Sequence, residues 1–240
     1  MKIVITAGGT SERIDNVRKI TNSSSGKLGM TIANELLDVF GNEAIIYYVC
    51  SKNSLRPDPR RVRVIEVDGA FDLKEKVETI LKEEKIDYFI HSMAVSDYTT
   101  DYVTTLNDIR DTLAEKWNMS DNFDKAMSGV RKLNGTKISS YEDNLVIVLK
   151  QTPKIISLIK DISPSTFLVG FKLLDGVSKE ELIDVAKKLR DKNHCDLVVA
   201  NDLANIRKGR HKAYIIDKND NIEEACDKDD IAFKIVKNIN

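Results

Sequence analysis

The run KIVITAGGT, residues 2–10, decides the fold, because an unbroken apolar stretch gives way to paired glycines. Val and Ile fill successive positions rather than alternate ones. That is the mark of a strand buried on both faces, as in a parallel sheet. Gly8 and Gly9 then let the chain turn with positive φ, or let a ligand approach the backbone closely. The same kind of run recurs as AIIYYVC (44–50), VRVIEV (62–67), DYFIHSM (87–93), LVIVL (145–149), FLVGF (167–171) and DLVVA (196–200). Helical periodicity lies between several of them. Leu28, Ile32, Leu36 and Val39 mark a helix over 26–39, and Leu73, Val77, Ile80 and Leu81 one over 70–84. Leu182, Ile183, Ala186 and Leu189 mark a third over 178–192. KAYIID (212–217) reads as a late strand before a last helix near 227–238. Strands alternating with helices predict an α/β fold with a doubly wound, mostly parallel, Rossmann-like sheet.

Residues 1–240 read as a single domain. Within it, residues 98–144 are polar and weakly periodic, and contain the only Trp. They separate two apolar runs by more than a short loop would. An ordinary surface insertion carrying one helix and a flap that serves as lid or dimer element both fit. Met119, Phe123 and Met127 would share one face if this segment were helical, offering an apolar patch to a second subunit or to the chain's own sheet.

Composition narrows the function classes. A formal net charge of −1 provides no general basic field for nucleic acid. With 42% hydrophobic and 31% charged residues, the chain has the balance of a globular protein and argues against long disorder. Cys50, Cys195 and Cys226 are odd in number and widely spaced. They form neither a disulfide framework nor a zinc pattern, which points to a reducing cytoplasm. The N-terminal apolar run is too short for a signal peptide, and no segment is long enough to span a membrane.

In an open α/β sheet, ligands bind outside the carboxyl ends of the strands. Small and polar residues collect there: TAGGT after the first run, SMAVSDY after DYFIH, FKLLD after FLVG and ND after DLVVA. The glycines match neither a dinucleotide fingerprint nor a P-loop, since the third Gly of the former and the first Gly and terminal Ser/Thr of the latter are missing. ITNSSSGKLG, residues 20–29, is more telling. One serine before a helix serves as a cap. Three hydroxyls beside open N–H groups suit an anion such as phosphate, with Gly26 and Gly29 removing bulk where a ligand would press on the helix. Asn22 is either a turn residue or a neutral amide able to orient a carboxylate or hold an acyl oxygen as charge develops. Asp97 reads as a loop or metal-facing carboxylate. Lys172, after an apolar strand, is costly to bury unless it meets an anion. Lys137 is most simply a solvated lysine. His91, His194 and His211 read as packed rather than catalytic, and Cys195, at a strand start, is no nucleophile.

ITAGGTSERIDNVRKITNSSSGKLG strongly resembles the N-terminal motif of phosphopantothenate–cysteine ligases, also called phosphopantothenoylcysteine synthetases. MAVSDY, the lysine of TKISS, VGFKL and DLVVAND follow in that family's order, so the resemblance spans nearly the whole chain. No flavin-dependent decarboxylase domain precedes the motif, so the chain looks like the stand-alone bacterial-type form. The resemblance implies a step of coenzyme A biosynthesis, in which 4′-phosphopantothenate and L-cysteine are joined through an acyl-nucleotidylate. It implies a nucleoside triphosphate cosubstrate, CTP or ATP, with a divalent cation, Mg, and a cytoplasmic homodimer. By the same resemblance Asn22 positions the acyl group, while Ser24, Ser25 and Gly26, with Gly8 and Gly9, form the phosphate cradle. Lys137 is the lid lysine and Lys172 lies at the nucleotide-site strand end. Ala94, Asp97 and Phe171 contact the nucleotide or its metal, and Asn201 sits in the matching AND. GFKLLD is closer to the FKLE run of eukaryotic, ATP-using ligases than to the GFAAET of bacterial, CTP-using ones. The chain mixes the two patterns, and we lean to CTP.

Two other classes share the fold prediction. A short-chain NAD(P)-dependent oxidoreductase is suggested by Tyr48 and Lys52 at Tyr-x-x-x-Lys spacing. That pair needs a helix, whereas Tyr48 lies in a strand run, where i and i+4 are roughly 13 Å apart. The other class, a non-catalytic nucleotide-binding module, would have no need to keep Asn22, Lys137 and Lys172 together.

Overall fold

The continuous Val and Ile runs become the central strands of a computed structural model that describes residues 1–116, 122–133, 137–207 and 211–239. β1 (Lys2–Ala7), β2 (Ser11–Arg13), β3 (Lys19–Thr21) and α1 (Lys27–Phe40) come first. β4 (Ile45–Ser51), β5 (Arg63–Val67), α2 (Ala70–Glu83), β6 (Tyr88–His91) and β7 (Tyr98–Thr105) follow. Next come α3 (Leu106–Lys116), α4 (Phe123–Met127), β8 (Leu145–Gln151), α5 (Ile155–Ile162), β9 (Phe167–Leu174) and α6 (Lys179–Asn193). Last are β10 (Leu197–Asp202), α7 (Leu203–Arg207), β11 (Ala213–Asp217), β12 (Ile222–Ala225) and α8 (Lys228–Ile239). The chain divides into two compact units: Met1–Thr10, Asn22–Val95 and Lys154–Asn240 make the first, and Ser11–Thr21 with Ser96–Pro153 the second.

The first unit carries an eight-stranded sheet in the order β12-β11-β10-β9-β6-β1-β4-β5. Strands β5, β4, β1, β6, β9 and β10 are parallel, and β11 and β12 are antiparallel. The parallel strands build outward from β1 in both directions, so the order reverses between β1 and β6. That reversal is the topological switch point of a doubly wound sheet, the fold predicted from the alternating pattern.

Because side chains alternate across a pleated strand, each central strand feeds two cores. On one face Ile3, Ile5, Tyr48 and Val199 pack with Ile32 and Leu36 of α1 and Ile231 and Ile235 of α8. On the other, Val4, Tyr47, Phe89, Leu168 and Val198 pack with Leu73 and Val77 of α2, Ile159 of α5 and Leu182 and Ala186 of α6. Local signals set the helix ends. Gly41, at φ 52°, stops α1. Ser178 caps α6 by accepting from the Glu181 N–H at 3.1 Å, with Glu180 and Glu181 facing the positive end of the helix.

The second unit is built on the antiparallel β7–β8 ladder, registered from Tyr98↔Gln151 to Thr105↔Leu145 with a bulge between Thr100 and Tyr102. β2 and β3 form a hairpin in the same unit. LVIVL, read above as a buried parallel strand, is therefore β8, and Leu145 and Leu149 are exposed. An apolar run signals a strand without saying which sheet receives it. The 98–144 segment also holds more structure than one helix. Its β7 is written in Thr, Tyr and Val, a strand composition that its polarity obscured. The helix expected to align Met119, Phe123 and Met127 is interrupted. Asn122 is extended, and its side chain accepts from the Asp124 and Lys125 N–H groups, so α4 starts at Phe123. Trp117 and Met119 lie outside the described residues. Among the described residues, no helix is long and apolar enough to cross a membrane.

Candidate functional site

At the carboxyl edge of the first unit's sheet, the β1–β6 pairing runs past both strand ends. Gly9 and Ala94 form a parallel bridge. The Ala94 N–H donates to the Gly8 carbonyl at 2.8 Å, and the Thr10 N–H donates to the Ala94 carbonyl at 3.1 Å. The Asn22 N–H donates to the Thr10 carbonyl at 3.1 Å. Gly8, Gly9, Ala94 and Asn22 thus share one backbone network at the switch point, where open sheets place their ligands.

The glycines are fixed by space as well as torsion. Gly8 has φ 88°, and a Cβ there would collide with the hydroxyls of Ser51 and Ser54, which bond each other at 2.6 Å. A Cβ on Gly9 would collide with the Asn22 carbonyl oxygen and come within 3.5 Å of the Ser24 nitrogen. Gly26, at φ 72°, faces Ser54, Leu55 and the Gly8 nitrogen. Gly29 faces Ala7, whose Cβ would lie 2.6 Å from a side chain there. The bulk missing at Gly29 therefore lets α1 close onto β1, a role different from the ligand clearance expected above.

The start of α1 is left open. Its N-cap is Gly26, in the left-handed conformation, with no side-chain cap and no acidic residue in the first turn. Ser25 Oγ accepts weakly from the Lys27 N–H at 3.3 Å, and the Ser25 carbonyl accepts from the Leu55 N–H at 2.9 Å. Ser23, Ser24 and Ser25 are exposed. A helix start with no N-cap side chain and no acidic residue, only a weak Ser25 contact to its first N–H and hydroxyls beside it, has the features that suit an anion. Asn22 is half-buried with its peptide held, and among the described residues its carboxamide makes no hydrogen bond. A fixed backbone with an uncommitted amide suits a group that waits for a substrate oxygen.

Phe171, Lys172 and Asn201 lie near the carboxyl ends of β9 and β10, where Lys172 is opposite Ala200 and Phe171 opposite Val199. Phe171 packs on the α1–α8 face, whereas Ala200 belongs to the α2–α5–α6 face. The pleat therefore turns Lys172 away from Phe171 and Asn201. Asn201 is buried and donates to the Lys212 carbonyl at 3.5 Å.

Asp97 and Lys137 belong to the second unit. Asp97 is exposed, and its carbonyl accepts from the Thr152 N–H at 3.0 Å. Lys137 is exposed beside the buried Ile138. Among the described residues, no three His, Cys, Asp or Glu side chains group to hold a metal. A single carboxylate such as Asp97 plus substrate phosphates is nevertheless a donor set that Mg commonly takes.

His91 is buried, with Nδ1 2.8 Å from Thr6 Oγ1, and burial pushes its pKa down to about 4. It is neutral packing at the end of β6, as expected. Burial pushes the Cys195 thiol up to about 12, which leaves it inert. Tyr48, in β4, donates its hydroxyl to the Leu55 carbonyl at 2.9 Å, so it does not form a helical pair with Lys52. Sequence reasoning did not reach Ser51 and Ser54, which back the glycine turn. Nor did it reach Asp15 and Arg18, whose only local signal is an Asp-Asn turn within a polar stretch.

A family model described as the DNA/pantothenate metabolism flavoprotein C-terminal domain matches residues 1–124 and 103–240. The chain is 36% identical over 203 residues to the coenzyme A biosynthesis bifunctional protein CoaBC of Thermococcus kodakarensis, covering 84% of this chain and 41% of that protein. It is 28% identical over 240 residues to the protein of the same name from Methanocaldococcus jannaschii, covering 99% of this chain and 50% of that one. The chain spans about half the length of these curated relatives. Among solved structures, the DNA/pantothenate metabolism flavoprotein from Streptococcus pneumoniae superposes with a TM-score of 0.83 at 38% identity, covering 100% of this chain and 98% of that one. The C-terminal domain of a coenzyme A biosynthesis bifunctional protein CoaBC superposes with a TM-score of 0.69 at 25% identity, covering 99% and 93%.

Proposed function

The chain belongs to the family of the DNA/pantothenate metabolism flavoprotein C-terminal domain, and from that premise we propose that it is a phosphopantothenate–cysteine ligase of coenzyme A biosynthesis. The observation that carries this reading is the open start of α1 held against the Gly8–Gly9 turn, with the Asn22 amide uncommitted beside it. The 4′-phosphopantothenate carboxylate attacks the α-phosphorus of a nucleoside triphosphate. Pyrophosphate leaves, and an acyl-nucleotidylate forms. The cysteine amine then attacks the acyl carbon and loses a proton, and the nucleoside monophosphate departs, leaving the amide.

In this reading Gly8, Gly9, Ser24, Ser25 and Gly26 cradle phosphate through backbone N–H groups and hydroxyls. Asn22 holds the acyl oxygen as charge develops on it. Ala94, Phe171 and Asn201 line the nucleotide's binding region, and Lys172, which the pleat turns to the other face, offsets the nucleotide's charge across the carboxyl edge of β9. Residues 98–144 act as flap and lid and bring Lys137 to the phosphates. CTP is the favoured nucleotide. Mg, held by Asp97 and the phosphates, would neutralise phosphoryl charge when bound. The reaction is placed in the cytoplasm.

A homodimer using the exposed Phe123 and the neighbouring Met127 completes the reading. A monomeric wild type in light scattering rejects the dimer. A dimeric, folded variant carrying both Phe123→Asp and Met127→Asp keeps the dimer but removes this patch from its interface.

Asn22→Asp tests the assignment of Asn22. A carboxylate there repels the developing acyl oxygen, so acyl-nucleotidylate should accumulate while amide formation slows by roughly 10²–10³-fold. Equal loss of both half-reactions in a folded variant contradicts the role.

A further inference from the structure

Asp15 lies in the loop between β2 and β3, with its side chain only 1% exposed. Its Oδ1 accepts from the Val17 and Arg18 N–H groups, each at 2.7 Å, which closes the loop as an aspartate turn does. That task occupies one oxygen. The other, Oδ2, accepts at 3.1 Å from the N–H of Ile138, which is distant in the chain. Arg18 Nη1 lies 3.6 Å from Oδ2, and Arg18 Nη2 donates to the Ile138 carbonyl at 3.0 Å. One ion pair therefore grips Ile138 by both its N–H and its C=O, and the Ile138 side chain is itself buried. Lys137 is the preceding residue, and it is exposed.

The same segment has a second anchor. Glu142 accepts from Arg131 Nη2 at 3.0 Å, and Arg131 Nε donates at 2.8 Å to Asp108 of α3. The Ile138 grip is the anchor that borders the lysine directly.

We propose that Asp15 and Arg18 are positioning residues for Lys137, holding the Ile138 peptide groups so that the lysine ammonium is presented in one place. The inference rests on the reading of Lys137 as the lysine that meets the phosphates. Removing the grip leaves the ammonium and its charge intact but lets its attachment point wander, and a misplacement of about 1 Å can cost 10²-fold in rate. The loss appears in turnover rather than in nucleotide affinity.

The test uses the full chain carrying Asp15→Asn. The amide has only one oxygen, so either the loop N–H groups or Ile138 loses its acceptor. Trypsin cleavage between Lys137 and Ile138 under native conditions, followed by mass spectrometry, should quicken by roughly tenfold, the scale of one lost charge-assisted bond. The single-turnover rate should fall, with nucleotide affinity unchanged. In the Asp15→Asn/Lys137→Ala double variant, the rate should be no lower than in Lys137→Ala alone. Losses that multiply in the double variant show that Asp15 acts elsewhere and overturn the proposal, as does unchanged cleavage. If Lys137→Ala alone leaves the rate intact, the reading of Lys137 fails and the catalytic purpose of the grip goes with it, while the cleavage result still reports whether the grip exists. Should Asp15→Asn fail to fold, Arg18→Lys gives the same readouts, because it keeps the charge but loses the fork that reaches the Ile138 carbonyl.

Discussion

The carbonyl oxygen of Asn22 occupies the space into which a side chain on Gly9 would project, and the carbonyl carbon lies 2.9 Å from where that Cβ would be. Gly9 is not among the glycines with positive φ, so an alanine would meet this contact without torsional strain. Gly9→Ala should therefore displace the Asn22 peptide. We expect a folded protein, destabilised by about 1–3 kcal/mol, with turnover reduced roughly 10²-fold. Circular dichroism melts beside a steady-state assay would check this. Unchanged turnover would mean that Asn22 need not sit where Gly9 lets it.

Lys172 and Lys137 should fail differently. Lys172 is fixed by the β9–β10 ladder opposite Ala200, whereas Lys137 stands in an irregular segment. Lys172→Ala should weaken nucleotide binding by roughly tenfold, the scale of one charge-assisted contact. Lys137→Ala should leave binding nearly intact and slow the bound-state reaction, as loss of a lid residue does. Calorimetry and single-turnover kinetics on both variants separate the effects. A Lys137→Ala variant that binds no nucleotide but reacts normally once saturated would reverse the two roles.

His91 should make the fold acid-sensitive. Its folded pKa, lowered by burial to about 4, lies below the ordinary 6.5. Between those values the unfolded chain holds the extra proton. Stability therefore falls as pH drops through this window, by up to about 3 kcal/mol, and this contribution levels off below about pH 4. Urea unfolding across the window should show a steeper loss for wild type than for His91→Gln, which keeps the acid-labile carboxylates but cannot take the proton. Parallel curves for the two proteins would show that His91 charges at no cost.

Much of the first unit was legible because its strands are continuous Val and Ile runs and its helices carry regular apolar spacing. Ile3, Ile5, Ile32 and Leu36 announce both their element and their burial. The second unit was less legible. β7 is mostly Thr and Tyr, with Val103 its only aliphatic residue, and β8 imitates a core strand while leaving Leu145 and Leu149 exposed. At the site, the Ser-Ser-Ser-Gly stretch pointed to an anion through residue type alone. Spacing along the chain could not show that Ser51 and Ser54 abut Gly8, or that Lys172 and Phe171 face opposite sides of the sheet. Nor could it show that Asp15 reaches Ile138, because such pairings are settled by tertiary packing.

The most direct test of the ligase reading is to incubate the wild-type chain with 4′-phosphopantothenate, L-cysteine and Mg, and to supply CTP and ATP in parallel. Pyrophosphate and the amide product are measured together. The expected result is one pyrophosphate released per amide formed, with CTP the better nucleotide and no amide when the nucleotide is omitted. Absence of phosphopantothenate-dependent pyrophosphate release with both nucleotides, from folded protein, would contradict the proposed function.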